Sequence, residues 1–414
     1  MGHTAFRRAP FNRMIQAYNE TGNLPPLPEV SSLEDFREKY PASGKNDLRR
    51  TSKRFIAEGR LKGSYIISTS GTTSEPLVLG HKLWEDTSEG TYPHQFVVQL
   101  MTHVFAEDDV VINLFTPGGL GFLYEGACRF LEPIGVTILP VGLLDSLSGN
   151  PDVLTLFRDL GLNTVMGAPS SVVQFAKEAE RRQIPLDIQK IVYTGEEFFP
   201  GKKEIVSRIW PNASYYSLFG AVEYGFAAIN SPEMPEGLHE ILEDWYFVET
   251  DEDDNILVTD LTAPLLPVIR YRIGDKGAVR EMPGTENRHG LILEGRSDSS
   301  FNITGNAVSH KRVCDAVGAV TKITDSLQII LETDDDGRDL LPVAFAGPVH
   351  DDPTLMERVR AAVATIPEIA EGIDRGTLIT AVAGGESQKK NWRNKTGNII
   401  DLRGRQPAAD GEAD

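Results

Sequence analysis

From about residue 64 onward, short apolar runs rich in β-branched residues alternate with amphipathic stretches, the pattern of an α/β chain. The runs at 65–68, 110–113, 136–139, 164–166 and 191–193 predict strands. Between them, SSVVQFAKEAERRQ at 170–183 predicts a helix capped by Ser170, with Val172, Phe175, Ala176 and Ala179 on one face. KKEIVSRIW at 202–210 predicts a second, beginning just after Pro200 and Gly201, with Ile205, Val206 and Ile209 on its apolar side. Further on, ETDEDDNILV at 249–258 and LETDDDGRDL at 331–340 each set an acidic, turn-forming cluster between apolar runs, which predicts hairpins. A helix is expected at 352–365. Near Gly295 a strand-like run passes into the Gly/Ser/Asn-rich segment GRSDSSFNITG, the composition of a boundary. The expected organisation is therefore a large α/β domain of several subdomains over 1–294 and a small, mobile α+β domain over 295–414. Its polar tail beyond Gly404 reads as disordered.

The chain has 414 residues, 40% of them hydrophobic, enough to bury sizeable cores. Its 41 Lys and Arg against 60 Asp and Glu give a formal net charge of −19. That balance disfavours nucleic acid and anionic membranes as partners, because both attract cations. The most apolar run, 134–144, is interrupted by Pro140 and falls far short of the ~20 residues that span a bilayer. The basic N-terminus has no apolar stretch behind it, so no secretory signal is evident, and Phe6 breaks the myristoylation pattern after Gly2. The two cysteines, Cys128 and Cys314, are too far apart for a disulfide framework or a metal cluster. Two plain buried thiols and a reducing cytoplasm are expected.

The strongest local signal is STSGTTSEP at 68–76, directly after a strand-like run. Such a loop offers hydroxyls and closely approaching backbone N–H groups to a polyphosphate; a Ser/Thr-rich surface turn is the other account of it. It is not a Walker A loop, since no Gly-Lys-Ser/Thr follows. The segment from Gly195 to Lys203 misses that pattern by one spacer and lacks a hydroxyl after the lysine, and Gly119-Leu-Gly121 has Tyr124 where a dinucleotide fingerprint wants glycine.

Other segments accompany this loop in a recognisable order. TSGTTSEP (69–76), NLFTPGGLGFLYEGA (113–127), APSSVVQFAKEA (168–179), YTGEEF (193–198), YYSLFGAVEYG (215–225), GLHEILEDWYFVE (237–249), RYRIGDKG (270–277) and EGRSDSSFNITGNAV (294–308) span roughly 64–310. The set resembles the adenylate-forming superfamily of acyl-CoA synthetases, nonribosomal-peptide adenylation domains and luciferases, and within it the phenylacetate–CoA ligase-like branch. The resemblance implies ATP- and Mg2+-dependent joining of a carboxylate to AMP, then acyl transfer, by default to coenzyme A. It also implies the roles of individual residues. Thr69, Ser70, Gly71, Thr72 and Thr73 would hold the β- and γ-phosphates. Gly195, Glu196 and Glu197, with the segment from Tyr216 through Ser217 to Phe219, would frame the adenine. Glu223 would help place Mg2+, as a catalytic residue and the metal ligand. Asp275 would accept both ribose hydroxyls, Arg296 would approach the ribose or the phosphate, and Asp298 would be the hinge. The acyl pocket falls near Phe115, Gly119, Gly121, Ala168, Gly220 and Ala221, whose small residues and flat walls suit a planar aromatic acid. His239 is either a substrate-side or a structural histidine.

Two positions depart from the family pattern. The C-terminal Gly397 is followed by Asn398, where the family has the lysine that bridges carboxylate and α-phosphate. Losing such a cation costs on the order of 10²–10³ in rate; Lys395, Lys390 or Lys389 could stand in for it. Glu75 occupies the place of a lysine before Pro76. Besides coenzyme A, a carrier protein or the amine or thiol of a partner such as a downstream enzyme is an open acceptor, a non-ligating acid- or nucleotide-binding homologue is an open alternative, and a homodimer is an open assembly. Coenzyme A would need a local basic patch, and no run of the sequence presents one.

Overall fold

Each β-branched run forms a strand in the computed structural model, which describes residues 2–22, 25–69, 76–82, 100, 103–142, 152–262, 265–285, 287–296, 300–322, 327–345, 352–383 and 399–403. In chain order, helices α1 (Arg8–Thr21), α2 (Leu33–Lys39) and α3 (Lys45–Ala57) come first. Strands β1 (Ser64–Ser68) and β2 (Val78–Lys82) pair antiparallel. Helix α4 (Leu123–Leu131) separates β3 (Val110–Asn113) from β4 (Thr137–Leu139), which pair in parallel. Then follow α5 (Val153–Asp159), β5 (Thr164–Gly167), α6 (Pro169–Arg181), β6 (Lys190–Tyr193) and α7 (Pro200–Ile209), with β5 and β6 parallel. Strands β7 (Ser214–Ala221), β8 (Gly225–Asn230), β9 (Leu238–Ile241), β10 (Tyr246–Thr250), β11 (Asn255–Asp260), β12 (Tyr271–Glu281) and β13 (His289–Arg296) succeed one another. The last elements are β14 (Ser300–Ile303), β15 (Asn306–Ser309), α8 (His310–Thr321), β16 (Leu327–Thr333), β17 (Asp339–Phe345), α9 (Pro353–Ala364), α10 (Pro367–Asp374), β18 (Leu378–Ala383) and β19 (Ile399–Asp401). The class is mixed α/β. Among the described residues no helix is long and apolar enough to cross a membrane.

The chain forms two compact units, Met1–Pro140 with Ser214–Asp298, and Val141–Ala213 with Ser299–Asp414. In the first, β10-β11-β12-β13-β9-β8-β7 is a run of antiparallel neighbours. The N-terminal segment is tied to β10: the Thr4 amide donates to the Val248 carbonyl at 2.9 Å, and the Gly2 amide to the Thr250 hydroxyl at 2.9 Å. Phe6 stacks into a cluster with Phe11, Phe36 and Phe247. Arg270, just before β12, adopts a left-handed φ of 46°. Its guanidinium is anchored on the buried Glu249 at 2.6 Å, which also binds Arg37 at 2.8 Å, so surrounding contacts hold a conformation that costs energy in a non-glycine residue.

In the second unit, β18-β17-β16-β19 form a four-stranded sheet, packed on a core that includes Val313 and Val317 of α8 and Val359 and Val363 of α9. Both acidic clusters turn hairpins as expected, β10–β11 and β16–β17. The face of α6 carrying Val172, Phe175, Ala176 and Ala179 is buried. Its start differs from expectation. The N-cap is Ala168, with Pro169 in the first turn, where a fixed φ and a missing N–H cost nothing. Ser170 therefore lies inside the helix and gives its hydroxyl to Glu196 at 2.8 Å. The cysteines also differ. Both are free and only partly buried, each at the edge of its helix's apolar face beside a polar neighbour: Asn113 lies 3.4 Å from Cys128 Sγ and His310 Nδ1 lies 3.4 Å from Cys314 Sγ.

Candidate active site

In the first unit, the two ends of the Ser/Thr-rich loop are pinned together. The Thr69 amide donates to the Leu77 carbonyl at 3.0 Å, and the Leu77 amide to the Thr69 hydroxyl at 3.2 Å. Thr69 is buried; Ser70, Gly71, Thr72, Thr73 and Glu75 lie outside the described residues. The glycine-rich turn expected to line the acyl pocket lies against this strand, since the Ser68 amide donates to the Leu120 carbonyl at 2.9 Å. Gly118 and Gly119 have φ of 79° and 62°, with open space where a Cβ would stand on either. Phe115 is buried at 4% exposure, deeper than a solvent-facing pocket wall. Phe122 stacks on His81 at 5.1 Å. His81 in turn lies 3.0 Å from the Val222 carbonyl, which ties β2 to the residue before Glu223.

Glu223 sits in the turn between β7 and β8. The Tyr271 hydroxyl donates to its Oε1 at 3.0 Å. Tyr271 is buried, and both that burial and the Glu223 carboxylate push its phenol pKa well up, so it acts as a proton donor throughout the ordinary range. Four residues along the same strand is Asp275. It stands directly opposite Arg296 in the β12–β13 register, and the two are ion-paired at 3.3 Å. Antiparallel pairing thus brings together two residues twenty-one apart in sequence. The arrangement offers a partly exposed bidentate acceptor, suited to a vicinal diol, beside a guanidinium suited to an anion.

On β7, Ser217 and Phe219 project to one face by the two-residue period of a strand. His239 on β9 approaches both: its Nε2 is 3.0 Å from Ser217 Oγ, and its ring centroid is 6.3 Å from that of Phe219. His239 is buried, and burial pushes its pKa down to about 4. It is therefore a neutral residue that orients Ser217, the structural role of the two left open by the sequence. Phe219 keeps part of its ring exposed. Gly220 is demanded by the hairpin itself, since a Cβ there would fall 2.1 Å from the Gly225 carbonyl oxygen. Ala221 ends β7.

Ala168, Gly195, Glu196 and Glu197 belong to the second unit. Gly195 has φ of 86° and room beside it, so the backbone of this turn is open to a planar group. The Glu196 carboxylate is committed elsewhere. It accepts from Ser170 and lies 3.2 Å from the Lys202 ammonium. Lys202, a residue the sequence offered only as part of a failed Walker pattern, is completely buried. It meets Ser170 Oγ at 2.7 Å, Glu196 at 3.2 Å and Asp339 at 2.8 Å. Ser170 and Glu196 accept hydrogen bonds from the ammonium, and Asp339 adds an ion pair. Burial opposes its charge, but Glu196 and Asp339 outweigh that and hold its pKa above the usual value. Arg403 extends the cluster, bridging Asp339 at 3.4 Å and Asp401 at 2.6 Å with its guanidinium over the Phe199 ring. Such a side chain cannot cradle a phosphate; it is the ionic core of the unit.

Asp298, Lys389, Lys390, Lys395 and Asn398 lie outside the described residues. Tyr271 is the site residue the sequence did not single out: a tyrosine opening a strand reads as core, and only its hydrogen bond to the β7–β8 turn reveals its acidic partner. Among the described residues, no three acidic, histidine or cysteine groups converge as a metal site.

No protein-family model matches the chain. The indoleacetate–lysine synthetase of Pseudomonas savastanoi is 26% identical over 393 residues, covering 91% of this chain and 93% of its own. The phenylacetate–coenzyme A ligase of Aromatoleum evansii is 27% identical over 358 residues, 80% of this chain and 76% of its own. Among solved structures, a 2-hydroxyisobutyryl-CoA ligase in complex with its acyl-AMP and CoA matches in fold with a TM-score of 0.69 at 18% identity, over 95% of this chain and 89% of that one. The chain is thus similar over most of its length to enzymes named as carboxylate ligases, in sequence and in fold, and its motifs stand in the order of the adenylate-forming superfamily that it resembles.

Proposed function

We propose that the chain activates a carboxylic acid as its acyl-adenylate, using ATP and Mg2+, and passes the acyl group to coenzyme A. The observation that carries this most is the strand-borne pair Asp275–Arg296 together with Glu223, held by Tyr271 of the strand that carries Asp275: a diol acceptor, a guanidinium and a carboxylate, the groups that the resemblance assigns to ATP. In the first step a carboxylate oxygen attacks the α-phosphorus and pyrophosphate leaves. In the second a thiolate attacks the acyl carbon and AMP leaves. In the first unit, Asp275 would hold the ribose, Phe219 the adenine, and 69–73 the outer phosphates. Glu223 fits a hard cation as one oxygen ligand, the rest of the shell coming from phosphate oxygens and water; Mg2+ there would neutralise the phosphates. Phe115, Gly119, Gly121, Gly220 and Ala221 of the first unit are proposed around an aryl acid. The same proposal assigns adenylation to 1–294, motion about Asp298 to 295–414, and the cytoplasm as compartment.

An amine acceptor is favoured by one specific observation: the relative matched almost end to end, at 91% and 93% coverage, is named for joining indoleacetate to lysine. Incubation with ATP, Mg2+ and a panel of aryl acids, with either coenzyme A or free lysine, separates the two by product mass. A coenzyme A thioester is expected. An amide without a thioester would replace the acceptor, and release of no AMP with any acid would favour a non-ligating homologue.

A further inference from the structure

The missing basic patch is assembled by the fold. In the second unit, a cavity of about 380 Å3 lies between α6, the tip of the β16–β17 hairpin, the start of α5 and the turn before β18. That volume is in the ~300–1,000 Å3 range of small-molecule sites. Lys177, Arg181 and Arg182 reach it from α6 and Arg338 from the hairpin. The first three are spaced i, i+4 and i+5, so one side of the helix presents all of them. The fourth is 156 positions beyond Arg182 in sequence, which is why no run of residues announced the patch. The chain's net charge is −19, yet four cations line this one cavity.

The site is built, not incidental. Gly337 at the hairpin tip has φ of 74°, and a Cβ there would come within 2.8 Å of Val173 and Ile205, so the tip seats against α6 and α7. Lys177 Nζ fastens it, donating to the Asp336 carbonyl at 2.8 Å and the carboxylate at 2.7 Å, and the Gln174 amide donates to the Arg375 carbonyl. Val153, Leu154 and Val173 give the cavity an apolar wall, and Ser170, Gln174 and Thr377 give it polar atoms.

The cations are at present paired with carboxylates. Arg181 binds Glu178 through Nε at 2.8 Å and Nη2 at 2.7 Å, Arg182 binds it at 2.5 Å, and Arg338 binds Asp334 at 2.8 Å and Asp336 at 3.2 Å. These pairs are near the surface, with Arg181 68% and Arg338 40% exposed. Exposed pairs contribute little, and a doubly charged phosphate offers an arginine a stronger bidentate partner than one shared carboxylate. Glu178, shared by Arg181 and Arg182, then acts as a place-holder that an entering phosphate displaces.

We propose that this cavity receives the phosphorylated adenosine end of coenzyme A, with the 3′-phosphate and diphosphate on the four cations and the purine against the apolar wall. The assignment rests on coenzyme A being the acceptor. Its test is calorimetric binding of coenzyme A, 3′-dephospho-coenzyme A, adenosine 3′,5′-bisphosphate and ATP to the full chain. Coenzyme A and the bisphosphate are expected to bind about tenfold or more tightly than the dephospho form. The double variant Arg181→Gln/Arg182→Gln should weaken them about tenfold or more and erase that preference. Glu178→Gln, which removes the competing carboxylate, should tighten binding several-fold, a gain that misfolding cannot imitate. Equal affinity for coenzyme A and its dephospho form, binding indifferent to both variants, or equal displacement by ATP would each overturn the assignment. Failure of the acceptor is distinguished by product mass: variant-sensitive binding with no thioester from the wild-type chain overturns coenzyme A as acceptor and leaves the bisphosphate site standing.

Discussion

Tyr271 gives its hydroxyl proton to Glu223 at 3.0 Å from the strand that also carries Asp275, so one short element sets two groups of different chemistry. Tyr271 is a positioning residue: it fixes the carboxylate proposed to meet Mg2+. Hydrogen bonds to charged groups are worth roughly 1.5–3 kcal/mol, and about 1.4 kcal/mol is tenfold in rate. Tyr271→Phe should lower adenylation about tenfold and raise the Mg2+ concentration needed for half-maximal rate, as read by initial rates over a Mg2+ series; an unchanged Mg2+ requirement would leave Tyr271 a packing residue. His239 makes a prediction about pH. Its folded pKa of about 4 lies below the ordinary histidine value, so as pH falls the unfolded chain binds the proton first. Stability present above ~6.5 is lost as pH falls towards about 4, and the half-buried His81, also depressed by desolvation, adds in the same direction. Urea midpoints should fall between pH 7 and 5, less steeply in His239→Gln; a flat midpoint across that window would contradict the buried neutral imidazole. Glu223, Asp275 and Arg296 were legible because each sits in a motif. Tyr271 was not, because its partner is 48 positions away and lies in a turn that only the folded chain brings to it.

At the scale of elements, hydrophobic period carried most of the information. The buried face of α6 and the two acidic hairpins follow from it directly. Element ends are decided by something more local: Pro169 moved the start of α6 and released Ser170 from capping. The ionic core between α6, α7 and β17 was illegible, since KKEIVSRIW shows nothing to separate Lys202 from a solvated lysine. Its test is direct. Removing one member of a buried ion pair leaves the others uncompensated and costs about 3–5 kcal/mol. Lys202→Met should therefore destabilise the second unit by about that amount in thermal or denaturant unfolding. Lys203→Met, one residue on and outside the cluster described for Lys202, should cost far less, and equal losses would contradict the arrangement.

At the scale of the whole molecule, the net charge is −19, and the proposals place the attraction for phosphates at Arg296, opposite Asp275, and at the four cations of the second unit's cavity. The sequence showed the superfamily's motifs in order but not that the chain's contacts group 141–213 with 299–414, because grouping depends on packing between segments a hundred residues apart. The central claim is adenylation itself, and Asn398 in place of the family lysine is its sharpest challenge. Acid-dependent exchange of labelled pyrophosphate into ATP, measured with Mg2+ over a broad panel of aryl acids for the wild-type chain and for Asn398→Lys, tests it most directly. The wild-type chain is expected to exchange with at least one acid, and Asn398→Lys to exchange faster, by up to about 10²-fold. No acid-dependent exchange by either protein would contradict the account.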